Sequence, residues 1–314
     1  MKRLFIVGCP RSGTTWTMML VARHPDAVTC MQVSVMHSLH ELYRAWGRGG
    51  RRDDTRYLNS VVLFDGPSGG NGAAARFEPL FANEEELLHF CRDTADRAFS
   101  GALARRPEAE LLVVKTPEDL RIAEFVHRVY PDAYFLHVIR DPRAVFASQR
   151  KGADDFGGRW PRGPAQGARY WAWDVKRGRK IAALTERYAE VRYEALTANP
   201  AAELGRIIRW LGLPADPAWC EEAARASSFR SLKETKGTPR KFFRSGEAEG
   251  WRRELSASDL RIIEHLSGTL MADLGYARTR STRRWPPVRL VLGDGFRTAL
   301  GGIGRMVGKI LPRS

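Results

Sequence analysis

The first sixteen residues of this 314-residue chain constrain its fold most strongly. A short apolar run from Lys2 to Val7 is followed at once by the sequence GCPRSGTTW over residues 8–16. This order predicts a buried β-strand, a turn rich in glycine and hydroxyl side chains, and a helix that begins near Thr14. Such a turn directs several backbone N–H groups at one point, and the helix N-terminus adds a partial positive charge. The segment therefore predicts a phosphate site.

The turn departs from the nucleotide-triphosphate pattern G-x-x-x-x-G-K-[ST] at one informative position. Thr14 occupies the place of the lysine, and the cation, Arg11, lies inside the turn instead. A turn without that lysine is poorly built to hold a γ-phosphate with magnesium. It still suits the 5′ end of a different nucleotide. A P-loop kinase or nucleotide triphosphatase stays open as the alternative.

Length and composition indicate one sizeable α/β domain with a basic tail. Hydrophobic residues make up 43% of the chain and charged residues 28%, which is typical of a soluble globular protein. We predict the domain over residues 1–275 and the tail over residues 276–314. The tail holds nine Lys and Arg and one Asp, which leaves +7 of the net charge of +15 on the domain. A basic body suits polyanionic ligands such as nucleotides.

The four cysteines (Cys9, Cys30, Cys91 and Cys220) lie far apart in the chain. They form no pair with metal-ligand or redox spacing, which indicates structural thiols in a reducing compartment. The apolar run at the N-terminus is too short for a signal peptide, and no stretch reaches the ~18 apolar residues of a membrane span. We therefore expect a cytoplasmic protein.

Strand-like and helix-like segments alternate along the chain. Besides 2–7, we predict strands over residues 111–114, 133–139 and 189–193, and helices over 118–130, 142–150, 170–188, 203–211 and 260–274. This alternation predicts an α/β fold, a three-layer parallel sheet flanked by helices and P-loop-like, with ligands at the carboxyl ends of the strands. Residues 47–76, rich in Gly and Arg, predict a flexible loop or lid.

Later segments offer further anion and ring contacts. Arg140 ends a predicted strand, and Ser148 lies eight residues on in the next helix, so both side chains can converge on one anion. The alternative is an ordinary strand–helix junction that Asp141 caps. Tyr193 ends another strand, and its alternative is a core tyrosine. Phe229 with Trp16 can sandwich a purine base.

In this order the segments resemble the sulfotransferases that use 3′-phosphoadenosine-5′-phosphosulfate (PAPS). The PRSGTTW sequence of residues 10–16 is similar to the family's 5′-phosphosulfate loop, and the matching segments extend to residue 252. The resemblance implies that the co-substrate contacts Arg11, Ser12, Gly13, Thr14, Thr15, Trp16, Arg140, Ser148, Tyr193, Ser227, Phe229, Arg244 and Gly246. The last segment matches the family in Arg244, Gly246 and Trp251, whereas Ser245 replaces a lysine.

The resemblance also implies the reaction. A sulfuryl group moves from PAPS to the hydroxyl of a small-molecule, carbohydrate or lipid acceptor, without a metal ion. Arg11 and Lys115 are then the cations that stabilise charge on the leaving oxygen. A non-catalytic module that binds a nucleotide stays open as an alternative, and we expect no nucleic-acid partner.

The general base is less evident. The resemblance implies a general base at one of two positions: Pro117 stands where one branch of the family carries a histidine, and Gln32 lies nearest to where other branches carry a glutamate. Neither side chain can accept the proton. The remaining candidates are Glu118, Asp119, His37, His40 and Glu41. We choose His37 because the intrinsic pKa of histidine suits the task, although an ordinary surface or core histidine is the alternative.

The acceptor and the tail complete the expectations. Residues 31–110 are predicted to shape the acceptor pocket, with walls from Tyr43, Trp46, Tyr57 and Phe64. In the tail, apolar residues at helical spacing alternate with Arg297, Arg305 and Lys309. This pattern fits peripheral contact with an anionic membrane, whereas four glycines favour a disordered basic tail.

Overall fold

The computed structural model describes residues 1–31, 34–48, 60–64, 75–156, 160–228, 231 and 249–279. Its centre is a five-stranded sheet, all parallel, in the order β2-β5-β1-β6-β7. The strands are β1 (Lys2–Val7), β2 (Ala27–Met31), β5 (Leu111–Lys115), β6 (Tyr134–Ile139) and β7 (Tyr188–Arg192). Two further strands, β3 (Ser60–Phe64) and β4 (Ala75–Pro79), pair antiparallel with each other.

Helices connect these strands. The first five are α1 (Thr14–Val21), α2 (Val35–Arg48), α3 (Glu84–Leu103), α4 (Ala123–Val129) and α5 (Pro142–Phe156). They are followed by α6 (Pro164–Lys180), α7 (Tyr193–Ala198), α8 (Pro200–Trp210), α9 (Pro217–Ala226), α10 (Trp251–Glu254) and α11 (Ala257–Asp273). Short 3₁₀ helices cover Pro117–Ile122 and Ile181–Ala183.

Strand β1 shows why the fold has three layers. Its side chains alternate, so Phe5 and Val7 pack with helices α2, α3 and α4 on one face of the sheet. Leu4 and Ile6 pack with α1 and α8 on the other face. All four side chains are fully buried. A strand that is apolar on both faces is typical of a parallel sheet covered by helices, so the predicted fold class is confirmed.

The four predicted strands are confirmed, with ends that differ by one residue in places. Helix α5 begins at the predicted Pro142, and the Asp141 carboxylate accepts a 2.8 Å hydrogen bond from the Arg143 N–H, as a cap does. It runs on to Phe156, beyond the predicted end. Strand β2 was not predicted, because this edge strand is short and only its first two residues are buried.

Three predicted elements are corrected. The helix expected over 170–188 begins earlier, at Pro164, and ends at Lys180, because Tyr188 opens β7 beside Phe135. The helix expected over 118–130 starts as a 3₁₀ helix and becomes α-helical only at Ala123. The expected loop or lid over 47–76 contains strand β3 and the first residues of β4.

Residues 280–314 lie outside the described residues, so the expected disordered or amphipathic tail stays a prediction. Within the described parts of the chain, every helix is too short or too polar to cross a membrane.

Candidate active site

The turn between β1 and α1 has an unusual backbone conformation. Arg11 has φ 77° and Gly13 has φ 101°, both in the left-handed region that residues with a side chain seldom occupy. A Cβ atom on Gly13 would lie 2.3 Å from Cδ2 of Tyr193. The turn therefore packs directly on the Tyr193 ring, and only glycine fits at this contact.

Four of the predicted co-substrate residues meet at this turn. Arg11 donates from Nε to Ser148 Oγ over 3.0 Å. Arg140 donates from Nη1 to the Arg11 carbonyl over 3.3 Å, and its guanidinium lies 4.2 Å from the centre of the Tyr193 ring. Strands β1, β6 and β7 therefore deliver two arginines and a tyrosine to one edge of the sheet, and α5 adds a hydroxyl.

Ser12 supplies a direct test of whether an anion fits here. Its side chain is 1% exposed, and its Oγ has no hydrogen-bond partner among the described residues. A buried hydroxyl without a partner is costly, and native proteins seldom leave one. The hydroxyl sits inside the turn, 2.8 Å from where a Cβ on Gly8 would lie. Its chemistry and the neighbouring arginines fit a phosphate or sulfate oxygen.

Trp16 and Ser227 lie next to this cluster. The Trp16 indole donates to the Ser227 carbonyl over 2.8 Å, and its ring meets the Tyr193 ring edge-on, 5.8 Å between centres. Three side-chain positions expected on the adenine side are thus neighbours. Phe229, Arg244 and Gly246 lie outside the described residues, so their expected contacts stay predictions.

Trp251, from the last matching segment, packs inside the protein. It is buried, and the Arg143 guanidinium lies 4.0 Å from its ring centre. Arg143 is held in turn by the carboxylates of Asp141 and Glu264, each at 2.6 Å. This tryptophan therefore anchors α10 against α5, and its described contacts are structural.

Lys115 stands at the carboxyl end of β5, beside the turn. It is 2% exposed. Burial lowers the pKa of Lys115 first of all, the nearby Glu118 carboxylate opposes that, and the charge of Arg11 lowers the pKa further. A lysine placed beside an arginine in this way adds positive charge at the phosphate site.

A cavity of about 740 Å³ opens against the same turn. Its walls are Cys9, Pro10, Glu118, Arg121, Gln149, Trp160, Pro161, Arg169, Tyr170, Trp173 and Asp174. The floor comes from the turn and from the 3₁₀ helix after β5, whereas α6 and the residues before it form the far wall. Three of the wall residues are aromatic. The cavity thus joins the candidate anion site to a surface that suits ring-shaped or apolar groups.

The predicted acceptor walls differ from the walls of this cavity. Tyr43 contacts Glu84 and Arg128 and packs on Phe125. Trp46 packs against the core beneath α2. Tyr57 and the Phe64 side chain lie outside the described residues. Sequence reasoning missed the aromatic wall of α6, although Tyr170 and Trp173 stand three residues apart, which places both on one helix face.

His37 is paired with a buried carboxylate. Its Nδ1 lies 3.3 Å from Oδ1 of Asp119, which is fully buried. The contact with Asp119 raises the pKa of His37, and partial burial of the ring opposes that rise. His40, by contrast, packs on the Phe125 ring, and burial lowers its pKa. Among the described residues no three His, Cys, Asp or Glu side chains converge as metal ligands would.

Comparison with known proteins identifies the family. The model of the sulfotransferase family matches residues 3–217. This chain belongs to the sulfotransferase family. The match covers the turn, Lys115, Arg140, Ser148 and Tyr193, so the residues that meet in the structure all fall within it.

Individual relatives share about a quarter of the sequence. Nodulation protein NoeE of Sinorhizobium fredii is 28% identical over an alignment of 300 residues, and the match covers 88% of this chain and 66% of that protein. Rat carbohydrate sulfotransferase 1 is 25% identical over an alignment of 270 residues, and the match covers 80% of this chain and 63% of that protein. This sulfotransferase-family chain thus spans about two thirds of the length of these relatives.

A solved structure shares the fold. Mouse sulfotransferase SULT7A1, solved in complex with PAP, matches with a TM-score of 0.51 at 14% identity. The match covers 87% of this chain and 86% of the mouse protein. This similarity supports the P-loop-like fold of the sulfotransferase family for the present chain.

Proposed function

We propose that this protein transfers the sulfuryl group of PAPS to a hydroxyl group of an acceptor. The observation that carries the proposal is the meeting of Arg11, Arg140, Ser148 and Tyr193 around a turn whose Ser12 hydroxyl is buried without a partner among the described residues. Family membership and the PAP complex of the mouse relative support the same co-substrate. The products are a sulfate ester and 3′-phosphoadenosine-5′-phosphate (PAP).

Different residues of the site would contact different parts of the co-substrate. Ser12 and the N–H groups at the start of α1 would bind the 5′ phosphosulfate, and Arg140 with Ser148 the 3′-phosphate. Arg11 and Lys115 would stabilise the negative charge that develops on the leaving oxygen. Both are placed before the reaction begins, so they need no reorganisation during it. Arginine keeps its proton, so Arg11 acts through its charge alone.

For the acceptor we propose a carbohydrate, bound in the cavity beside Pro10. Two arguments support this choice over a lipid or an aromatic product. The wall offers three aromatic side chains together with Arg169 and Glu118, which suits a ligand with both ring faces and hydroxyl groups. One relative is also named as a carbohydrate sulfotransferase.

Calorimetric titration tests the co-substrate. We expect PAP to bind the wild-type chain more tightly than ADP or AMP, and Arg140→Ala to abolish that preference. Arg97→Ala serves as the matched control, because the Arg97 side chain is exposed on α3. Its neighbour in the chain, Asp96, pairs with Arg3 near the start of β1. Equal or tighter binding of ADP would overturn the proposal and favour the nucleotide triphosphatase.

Transfer itself is tested with radiolabelled PAPS and three probes: maltotriose, 4-nitrophenol and hexadecanol. We expect labelled product to form faster from maltotriose than from the other two probes. Product from another probe alone would overturn the carbohydrate assignment and leave sulfuryl transfer intact. PAP binding with no product from a wider panel of hydroxyl compounds would favour a non-catalytic module.

For the tail we propose peripheral contact with an anionic membrane, supported by its nine Lys and Arg against one Asp. We expect the full chain to sediment with phosphatidylglycerol vesicles and a chain lacking residues 285–314 to stay in solution. Failure of the full chain to sediment would favour a disordered basic tail. The cytoplasmic location stays a prediction.

A further inference from the structure

Asp119 is a buried carboxylate with little to satisfy it. It follows Lys115 by four positions, in the 3₁₀ helix after β5, and its side chain is fully buried. Neither carboxylate oxygen has a hydrogen bond of good geometry among the described residues. Its described close contact with a positive group is His37 Nδ1, at 3.3 Å. A buried carboxylate is normally paired or hydrogen-bonded, so this arrangement requires an explanation.

The pair lies next to two residues, Glu118 and Arg121, that line the candidate acceptor cavity. Four charged or titratable groups interact with His37 and influence its titration. Asp119, Glu118 and Arg121 belong to the 3₁₀ helix, and His40 belongs to α2, as His37 does. Glu118 and Arg121 both line the cavity. The charge of Glu118 also raises the pKa of Lys115, and the charge of Arg11 lowers it. His37 is therefore close enough to Glu118 and Arg121 for their charges to shift its pKa, and both of those residues line the cavity.

The contact also fixes how His37 can react. When Nδ1 carries the proton and faces Asp119, the other ring nitrogen, Nε2, is left as an acceptor. The His37 side chain is 37% exposed, so a substrate can reach it, whereas the Asp119 side chain is 0% exposed. This division, with an accessible imidazole and a hidden carboxylate behind it, is that of a base held in one tautomer by its partner.

We propose that Asp119 is a positioning residue that orients His37 as the general base of the transfer. The proposal rests on the sulfuryl-transfer function proposed above. The acceptor oxygen forms a bond to sulfur as the bond from sulfur to the 5′-phosphate oxygen breaks, and that oxygen keeps the electron pair. The acceptor proton passes to Nε2 of His37, which later loses it to water. Asp119 stays ionised and stabilises the imidazolium.

The pKa values of His37 and Asp119 are both raised, which agrees with this pairing. Burial raises the pKa of Asp119 to about 6, and the contact with His37 counteracts that rise. Removing the carboxylate charge should lower the pKa of His37, because an opposite charge nearby favours the protonated ring. The low-pH limb of the rate profile should then move to lower pH in Asp119→Asn, while the rate falls because the ring loses its orientation.

The experiment compares Asp119→Asn, His37→Gln and Glu118→Gln with the wild-type chain, using the probe that the wild type sulfates fastest. We expect kcat to fall about 100-fold or more in His37→Gln and about tenfold or more in Asp119→Asn. PAP affinity should stay within about twofold in both. Glu118→Gln tests the competing candidate base, because it removes the neighbouring carboxylate that lines the cavity. A larger loss in Glu118→Gln than in His37→Gln would overturn the proposal in favour of Glu118.

Two readouts separate positioning from a structural role. Asp119→Asn should unfold at the same temperature as wild type or higher, because it replaces a poorly solvated carboxylate by a neutral group of the same shape. Histidine NMR titration of the PAP-bound protein, with His37 assigned from the His37→Gln variant, should show a lower His37 pKa in Asp119→Asn. An unchanged pKa and an unchanged rate profile would end the proposal while leaving sulfuryl transfer intact. Absence of any wild-type product would instead count against the proposed function, and the NMR comparison would still decide the pairing.

Discussion

Arg11 Nε donates a 3.0 Å hydrogen bond to Ser148 Oγ, which joins the turn after β1 to the middle of α5, 137 positions along the chain. This bond connects the two halves of the candidate co-substrate site. One half belongs to the 5′ phosphosulfate and the other to the 3′-phosphate in our proposal. The proposed catalytic cation, Arg11, and the proposed 3′-phosphate contact, Ser148, are therefore held in a fixed relation to each other.

The first prediction concerns this hydroxyl. Ser148→Ala should weaken PAP binding about tenfold, because a hydrogen bond to a charged group is lost. The affinity for AMP, which has no 3′-phosphate, should fall much less. Calorimetry with both ligands measures the difference. Ser100→Ala is the control, since this exposed hydroxyl on α3 donates only to the Arg97 carbonyl among its described contacts. Equal losses for PAP and AMP would contradict the assignment of Ser148.

The second prediction concerns the turn. Gly13→Ala should lower the free energy of unfolding by about 1–3 kcal/mol, because its φ of 101° is unfavourable for alanine and its Cβ would collide with the Tyr193 ring. The same substitution should also weaken PAP binding. Urea unfolding measures the stability.

Gly101→Ala is the control for Gly13→Ala. Gly101 lies within α3, and a Cβ there would meet open space. This variant should be up to about 1 kcal/mol more stable than wild type, because alanine favours the helix. Equal effects of the two substitutions would show that the Tyr193 contact does not constrain the turn.

The third prediction concerns the aromatic wall. Trp173→Ala should raise the acceptor KM about fivefold or more and leave PAP affinity unchanged, because the indole lines the cavity away from the turn. Phe90→Ala is a close control, since Phe90 is 45% exposed and Trp173 is 46% exposed. Steady-state kinetics with the accepted probe checks both variants. An unchanged acceptor KM in Trp173→Ala would move the acceptor site elsewhere.

The fourth prediction is a pH dependence of stability. His137 is fully buried on β6, and burial lowers its pKa to about 4. Its Nδ1 lies 2.8 Å from the Tyr188 hydroxyl, which in turn donates to Glu190. The folded protein therefore holds this ring neutral, whereas the unfolded chain protonates it near pH 6.5. Its contribution to stability is complete above pH 6.5 and is lost as the pH falls from there towards 4.

Urea unfolding of wild type and His137→Gln at pH 7.5 and pH 5 measures this contribution. We expect the wild type to lose more stability between the two values than His137→Gln does. The exposed His89 on α3 supplies the control, because His89→Gln should keep the wild-type pH dependence. Identical pH dependence in wild type and His137→Gln would show that the buried ring does not contribute.

Local sequence patterns were sufficient to predict four of the five strands of the sheet and the candidate anion site. The run Leu4–Val7 is apolar on both faces and is followed by a glycine-containing turn, which is sufficient to predict a buried parallel strand and a phosphate-binding helix start. Arg140 was found in the same way, because it stands where a predicted strand ends. These features are local in sequence, so a pattern of neighbouring residues reveals them.

The contacts between groups that are distant in the chain became visible only in the folded protein. The His37–Asp119 pair joins α2 to the 3₁₀ helix after β5, and the candidate acceptor cavity has aromatic side chains of α6 in its wall. Neither relation leaves a periodic signal, because side chains from separate elements meet only after the helices have packed on the sheet. Burial then sets the protonation of Asp119 and His137, since the cost of a charge depends on its surroundings and not on its neighbours in sequence.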